Sequence, residues 1–311
     1  MTDVATVPEV MKLPHETVSA ERRVRTGVLS DADLAQFTEQ GYVVVPDAVP
    51  RANLRAMVEL IWRFMEADEG DSESWYRTAP REATGEASPI SRAGMVEVYQ
   101  QQELWDNRQY PRVYQAFVDI WQTEQLWVTL DRANMKPPVR DDRPEWQHGG
   151  FIHWDLDTLQ DPIPCGVQGV LYLTDTTAEQ GGFQCVPGFP RRFPDWATTQ
   201  PADRDARFPD LTGLDVQSIP GKAGDLLIWN SLLPHGNGEN TSDRPRLAQY
   251  ISMFPAARGS EEERRGRIAA WREQRSASGW PGDPRNWEQR HGKPAKLDRL
   301  GRRLLGLDPW T

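Results

Sequence analysis

Long apolar runs are missing from this chain. No stretch approaches the ~20 consecutive apolar residues that cross a bilayer as a helix, so no membrane span is expected. Cysteine is nearly absent: Cys165 and Cys185 are the only two, which excludes a disulfide framework and points to a reducing, cytoplasmic setting. Basic residues are outnumbered, 36 Lys and Arg against 46 Asp and Glu, for a net charge of -10. A polyanion-binding protein shows the opposite balance, so nucleic acid is not an expected partner. The first residues, MTDVATVPEVMKLPHETVSAERR, lack the basic-then-apolar order of a secretory signal. No internal repeat and no low-complexity segment is found. Tryptophan, by contrast, is abundant at 13, which suits a wide aromatic-lined interior better than a small core. A length of 311 residues suits one large domain or two small ones.

The charge is unevenly placed. Residues 256–311 hold 13 Lys and Arg against 8 Asp and Glu, a local +5 that leaves -15 for residues 1–255. This basic end reads as helix. EEERRGRIAAWREQR carries Ile268 and Trp271 among Glu/Arg pairs at helical spacing, and KLDRLGRRLLGL sets Leu297, Leu300, Leu304 and Leu307 on one side. We expect an arm over 257–311 docked by Trp271, Trp280, Trp287 and these leucines. At the other end, residues 1–27 read as a mobile leader without sustained periodicity. Order is expected from Ser30, an N-cap with Asp33 three residues on, opening a helix that Gly41 stops. YVVV (42–45) reads as a buried strand. Pro50 opens a second helix, residues 67–93 form a polar surface loop, and a third helix runs from Pro111 to about Gln122.

Beyond that point the pattern turns to β. LWVTLDRANM, GFIHWDLDT, GVQGVLYLTDTT, GGFQCV, LDVQSI, GDLLIWN and RLAQYISMF are short runs parted by Pro, Gly and Asp. Seven strands over ~130 residues, after a helical first third, predict an α+β fold that is mainly β, a sandwich or barrel with helices packed outside. Residues 188–213 read as an inserted loop with a little helix.

Histidine is scarce, with five in the chain, and therefore informative. His15 and His291 lie in the leader and the basic end. His148 is followed by Gly149 and Gly150, with no acid two residues on. His153 is followed by Trp154 and Asp155, and residues two apart on a strand share a face. His235 closes the stretch after GDLLIWN. Two imidazoles and one carboxylate on one face of an ion suit non-haem Fe(II) and leave positions open for ligands. Asp157, four residues from His153, reads as a turn acid.

Arg246 begins the strand RLAQYISMF, eleven residues after His235. Its face continues through Ala248, Tyr250 and Ser252, while Leu247, Ile251 and Met253 take the other. Burying an arginine is expensive without an anion to pair with, and a planar guanidinium fork fits a ligand carboxylate. Arg244 reads as an exposed neighbour.

With LSDADLAQFTEQGYVVVPDAV, the His153/Asp155 pair, GGFQCVPGFP and GDLLIWNSLLPHGNGENTSDRPRLAQYISMF in place, the chain resembles the phytanoyl-CoA dioxygenase-like Fe(II)/2-oxoglutarate-dependent oxygenases, which include ectoine hydroxylase. The resemblance runs over about 28–256. It implies a double-stranded β-helix, the jelly-roll or cupin-like core, over about 125–255, with helices outside. By the resemblance His153, Asp155 and His235 hold Fe(II), Arg246 takes the distal carboxylate of 2-oxoglutarate, and Asn134 and Lys136 supply further polar contacts. Dioxygen is the other cosubstrate, succinate and CO2 are released, and a C–H bond of a small molecule is hydroxylated. Desaturation and ring closure are variants. The family's halogenating members replace the acid by a small residue, so Asp155 argues for hydroxylation. Two features depart from the pattern: Trp154 stands between the ligands, where alternation should turn it away from the metal, and the arm has no counterpart.

Substrate contacts are expected from the 67–110 loop, the 188–213 insertion and the arm, with Trp75, Tyr76, Arg77, Tyr99 and Trp196 as candidates. The Arg- and Ala-rich, Lys-poor usage hints at a GC-rich bacterial source and a biosynthetic, natural-product role. A monomer or homodimer is expected. The alternative is a non-oxidative metal barrel, a Zn-dependent hydrolase or a small-molecule binding module, since a His/Asp/His site also suits Zn²⁺. An inward Arg246 discriminates, because neither alternative needs it.

Overall fold

In Val167–Tyr172, Val167 and Leu171 enter one apolar cluster while Val170 and Tyr172 enter another. Successive strand side chains face opposite ways, so one sheet borders two cores. Leu226 and Ile228 against Leu227 and Trp229 show the same split. The computed structural model describes residues 8–76, 94–147 and 150–310. Its strands are β1 (Tyr42–Val45), β2 (Met95–Val96), β3 (Leu126–Val128), β4 (Ala133–Lys136), β5 (Val167–Tyr172), β6 (Phe183–Cys185), β7 (Gln217–Ser218), β8 (Leu226–Asn230), β9 (His235–Asn237), β10 (Arg246–Tyr250) and β11 (Met253–Pro255). Six of them form one sheet in the order β1-β8-β5-β10-β4-β2, three form a second, β7-β6-β9, and β11 pairs with β3. The pairings between these strands are antiparallel.

Helices cover one face of the large sheet. Met57 and Ile61 from Arg51–Met65, Leu104 from Gln102–Arg108 and Phe117 from Pro111–Trp121 fill that core. The opposite face meets the three-stranded sheet, where Phe183 and Cys185 pack with Val170, Leu227 and Ala248. The result is a mixed helix-and-sheet fold with antiparallel sheets. Both cysteines are buried and free. The expected helix ends form by the expected chemistry. Asp33 donates its backbone N–H to the Ser30 hydroxyl at 3.2 Å and accepts the Ser30 N–H at 2.8 Å, while Gly41 closes the helix with φ of 82°. Such a cap contributes about 1 kcal/mol.

Three expectations need correction. The expected leader is anchored to the body at several points within residues 8–27: Leu13 is in the core, Val10 bridges to Ile163, and His15 lies against Phe37. The run GFIHWDLDT is no strand, and beyond a single bridge at His153 the chain turns, with Asp157 accepting the Leu159 N–H at 2.8 Å. The arm is helical at Glu261–Glu273, Trp287–His291 and Arg299–Leu305, and Trp287 is buried as an anchor, but Trp280 is not one. Arg267 ties the arm's helices together through the carbonyls of Leu304 and Leu305 and donates to the Val128 carbonyl of the body. Glu288 accepts the N–H groups of Tyr99 and Gln100 at 2.8 and 2.7 Å, fastening the arm to the body. Among the described residues no helix is long and apolar enough to cross a membrane.

The buried His15 makes the fold acid-sensitive. Burial lowers its pKa from 6.5 to about 4, so below 6.5 the unfolded chain takes up a proton that the folded chain refuses. Stability therefore falls as pH drops from 6.5 toward 4, by on the order of 2 kcal/mol at pH 5. Urea denaturation at pH 7 and pH 5 should show His15→Gln losing less stability across this interval than the unmodified chain. Equal losses would contradict the account.

Candidate metal centre and its cavity

Two segments far apart in sequence meet at the site. His153 and His235 form a narrow antiparallel bridge, each donating its N–H to the other's carbonyl at 2.9 and 3.0 Å. Close approach requires glycine here: a Cβ on Gly236 would lie 2.1 Å from the Phe151 carbonyl oxygen. Each imidazole Nδ1 faces a backbone carbonyl, His235 that of Leu233 at 2.9 Å and His153 that of Phe151 at 3.4 Å. A carbonyl can only accept, so the proton sits on Nδ1 and each Nε2 offers its lone pair. The Nε2 atoms converge on one carboxylate, with His153 3.2 Å from Asp155 Oδ1 and His235 3.4 Å from Oδ2. All three ligand atoms lie within 4.8 Å of one another. Gln168 on β5 donates to Asp155 Oδ2 at 2.6 Å. Burial pushes the Asp155 carboxyl up, yet the group lies well below the usual carboxylate range, and the hydrogen bond from Gln168 is one of the contacts that lower it. Trp154 points away, fully buried, its indole N–H donating to the Leu232 carbonyl at 2.8 Å.

β10 lies between β4 and β5, which sets Arg246 opposite Lys136 and Ala248 opposite Asn134. Arg246 is 0% exposed, whereas the Arg244 side chain is 62% exposed. Arg246 Nη1 donates to Asn134 Oδ1 at 3.0 Å, and among the described residues its Nε and Nη2 have no hydrogen-bond partner. Leaving buried donors unsatisfied costs about 1–3 kcal/mol each, so this free edge of the guanidinium is built for an acceptor. Asn134 thus orients Arg246. Lys136 donates to the Gly238 carbonyl, and burial together with the neighbouring Arg246 charge brings its pKa down to about 8. Neither Asn134 nor Lys136 lines the cavity described next.

A cavity of about 490 Å³ opens onto His153, Asp155, His235 and Arg246. Phe151, Phe183 and Trp229 give it an apolar wall, and Tyr250 and Ser252 continue the Arg246 face as the alternation requires. The expected substrate residues lie elsewhere. Tyr76 donates to the Pro138 carbonyl at 2.8 Å, Tyr99 is buried, and Trp196 packs against Trp154. Trp75 does not line the cavity, and Arg77 and His148 fall outside the described residues. Instead Met95, Thr129, Asp131, Arg132, Gln168 and Trp280 line it. Gln168 could have been found as the one polar residue flanked by apolar strand positions. Trp280 carried no signal that separated it from an anchor.

The donor set fits a borderline divalent ion such as Fe(II): two neutral imidazole nitrogens and one carboxylate on one face. The unsatisfied Arg246 edge fits a carboxylate ligand bound beside it.

Comparison with known proteins adds to this geometry. The family model described as phytanoyl-CoA dioxygenase matches residues 37–248. Ava biosynthesis cluster protein O of Aspergillus versicolor is 25% identical over 254 residues, which cover 73% of this chain and 78% of that protein. Ectoine dioxygenase of Bordetella bronchiseptica is 28% identical over 156 residues, 45% of this chain and 50% of that protein. In structure, a hypothetical protein from Escherichia coli superposes with a TM-score of 0.63 at 17% identity, covering 97% of this chain and 86% of that one, a likeness of fold.

The Gln168 contact is testable on the metal alone. Removing a hydrogen bond to a ligating carboxylate weakens metal binding roughly 10–100-fold. Equilibrium dialysis with Mn(II) should show that loss in Gln168→Leu, and unchanged affinity would show the contact to be dispensable.

Proposed function

The chain belongs to the phytanoyl-CoA dioxygenase family, and from that premise we propose that it hydroxylates an unactivated C–H bond of a small molecule with iron(II) and 2-oxoglutarate. Iron and 2-oxoglutarate are the cofactors that go with this family. His153, Asp155 and His235 would hold the metal through two Nε2 atoms and one carboxylate oxygen. The bound iron, with 2-oxoglutarate and dioxygen, supplies the oxidising power, and the cosubstrate leaves as succinate and CO2. The protein's part is placement. Gln168 holds the second Asp155 oxygen, the Leu233 and Phe151 carbonyls fix the imidazole tautomers, and Arg246 offers Nε and Nη2 to the distal carboxylate of 2-oxoglutarate. Phe183 and Trp229 give the cavity an apolar wall beside the candidate ligands.

Arg246 carries the proposal: a wholly buried guanidinium with one edge free, in the same cavity as the three ligand side chains. A zinc hydrolase or a plain binding barrel has no use for it. Retention of Asp155 at the third ligand position favours hydroxylation over halogenation, because a carboxylate there occupies the place a halide would need. The name of the Aspergillus versicolor relative supports a role in natural-product biosynthesis. The oxygenase part would comprise residues 28–256, with a double-stranded β-helix core over about 125–255 and residues 257–311 as an appended arm.

A titration of 2-oxoglutarate separates the two arginines. Breaking a buried bidentate contact on one side costs roughly 3–5 kcal/mol, two decades or more of affinity. Arg246→Ala should raise the 2-oxoglutarate requirement at least about a hundredfold, with Lys restoring only part, because it lacks the fork. Arg244→Ala should change it less than about fivefold, as expected of an exposed charge. The reverse ranking would refute the assignment.

A further inference from the structure

The charges that face the cavity can be matched one by one. Asp155 faces the metal position and Arg246 the cosubstrate. Arg132 is already balanced: it lies 3.6 Å from Glu97 Oε2, donates to the Tyr99 hydroxyl at 3.2 Å, and its guanidinium sits 4.5 Å from the centre of the Trp280 ring. Arg108, fully buried, donates to the backbone carbonyls of Tyr99 and Asp131 and not to the Asp131 carboxylate. That leaves Asp131. Its Oδ1 accepts the Arg132 backbone N–H at 2.8 Å, and among the described residues no donor reaches Oδ2. The carboxylate lines the same cavity as Trp280, Trp229, Phe183 and Phe151. A cavity lined by both a carboxylate and aromatic rings can hold an ammonium group, by a charge-assisted hydrogen bond to the one and the ring quadrupoles of the other.

We propose that the substrate is a small amine with an apolar or aromatic body, and that Asp131 determines specificity by accepting a hydrogen bond from its protonated nitrogen. This rests on the dioxygenase reading of the cavity, which assigns Asp155 to the metal and Arg246 to the cosubstrate. The electrostatics agree: burial pushes the Asp131 carboxyl up to about 6 despite the opposing Arg132 and Arg108 charges, and a cation docked on Oδ2 would relieve that burial penalty. Phe151, 51% exposed and next to the equally exposed Phe208, gives the apolar body a lip at the cavity mouth.

Three probes of like shape and different charge test this: phenethylamine, N-acetylphenethylamine and 3-phenylpropanoate. Each is titrated by ligand-observed NMR into the full chain loaded with Zn(II) and 2-oxoglutarate. The amine should bind at least about tenfold tighter than the neutral amide and the acid, the margin of one charged hydrogen bond. Asp131→Asn should bring amine and amide within about threefold of each other. Asp131→Glu should keep a preference for the amine, and Asp131→Thr serves as a second neutral replacement if the Asn variant does not fold. A wild-type chain without preference for the amine, a tighter acid, or a neutral variant that keeps the preference overturns the proposal. If the chain takes up neither metal nor 2-oxoglutarate yet still prefers the amine through Asp131, the dioxygenase reading fails and the amine site stands.

Discussion

Two backbone hydrogen bonds, exchanged between His153 and His235, hold the site together. They join segments 82 residues apart in sequence into one narrow ladder step, and everything at the metal position follows from that step. Because the two residues stand directly opposite each other in an antiparallel pair, both imidazoles project to the same side, with ring centroids 4.8 Å apart. Asp155, two residues past His153, then reaches both Nε2 atoms without help from a regular strand. The glycine at 236 is part of the same constraint, because any side chain there would force the segments apart.

The second organising feature is energetic. A buried arginine with one hydrogen-bonded edge and one bare edge is a costly arrangement, and it persists because β10 is fixed on both sides by β4 and β5. The fold therefore holds a desolvated cation in place ahead of its anion. Such preorganisation lowers the cost of ordering a ligand and directs a carboxylate to one place in the cavity. Asp131 is the counterpart at the substrate end, a carboxylate lining the same cavity with one oxygen free of partners among the described residues.

Much of this was legible in the sequence, for identifiable reasons. Rare histidines, an acid two residues after one of them, and an arginine at the head of an alternating run point to the three side chains that converge in the structure and to the buried cation. Alternation also sorted Leu247, Ile251 and Met253 into the helix-side core and Ala248 into the other. What was not legible depends on tertiary context. The chain around Asp155 looked like a strand because its turn is made by the side chain of Asp157 and not by glycine or proline. Residues 8–27 show no periodicity, yet Leu13 and His15 are buried by helices that arrive later in the chain. Trp280 resembled the other tryptophans of the arm and lies instead over Arg132 at the cavity. Asp131 and Arg132 sit between two strands, where no pattern distinguishes an inward charge from a solvated one.

The most direct measurement of the central claim is succinate release from 2-oxoglutarate with Fe(II) under air, comparing the unmodified chain with His235→Ala. Removing one of three ligands abolishes metal-dependent turnover while the buried sheets keep the fold, so succinate should form with the unmodified chain and fall to background in the variant, with an unchanged circular dichroism spectrum. Near-normal succinate formation by His235→Ala would contradict the account.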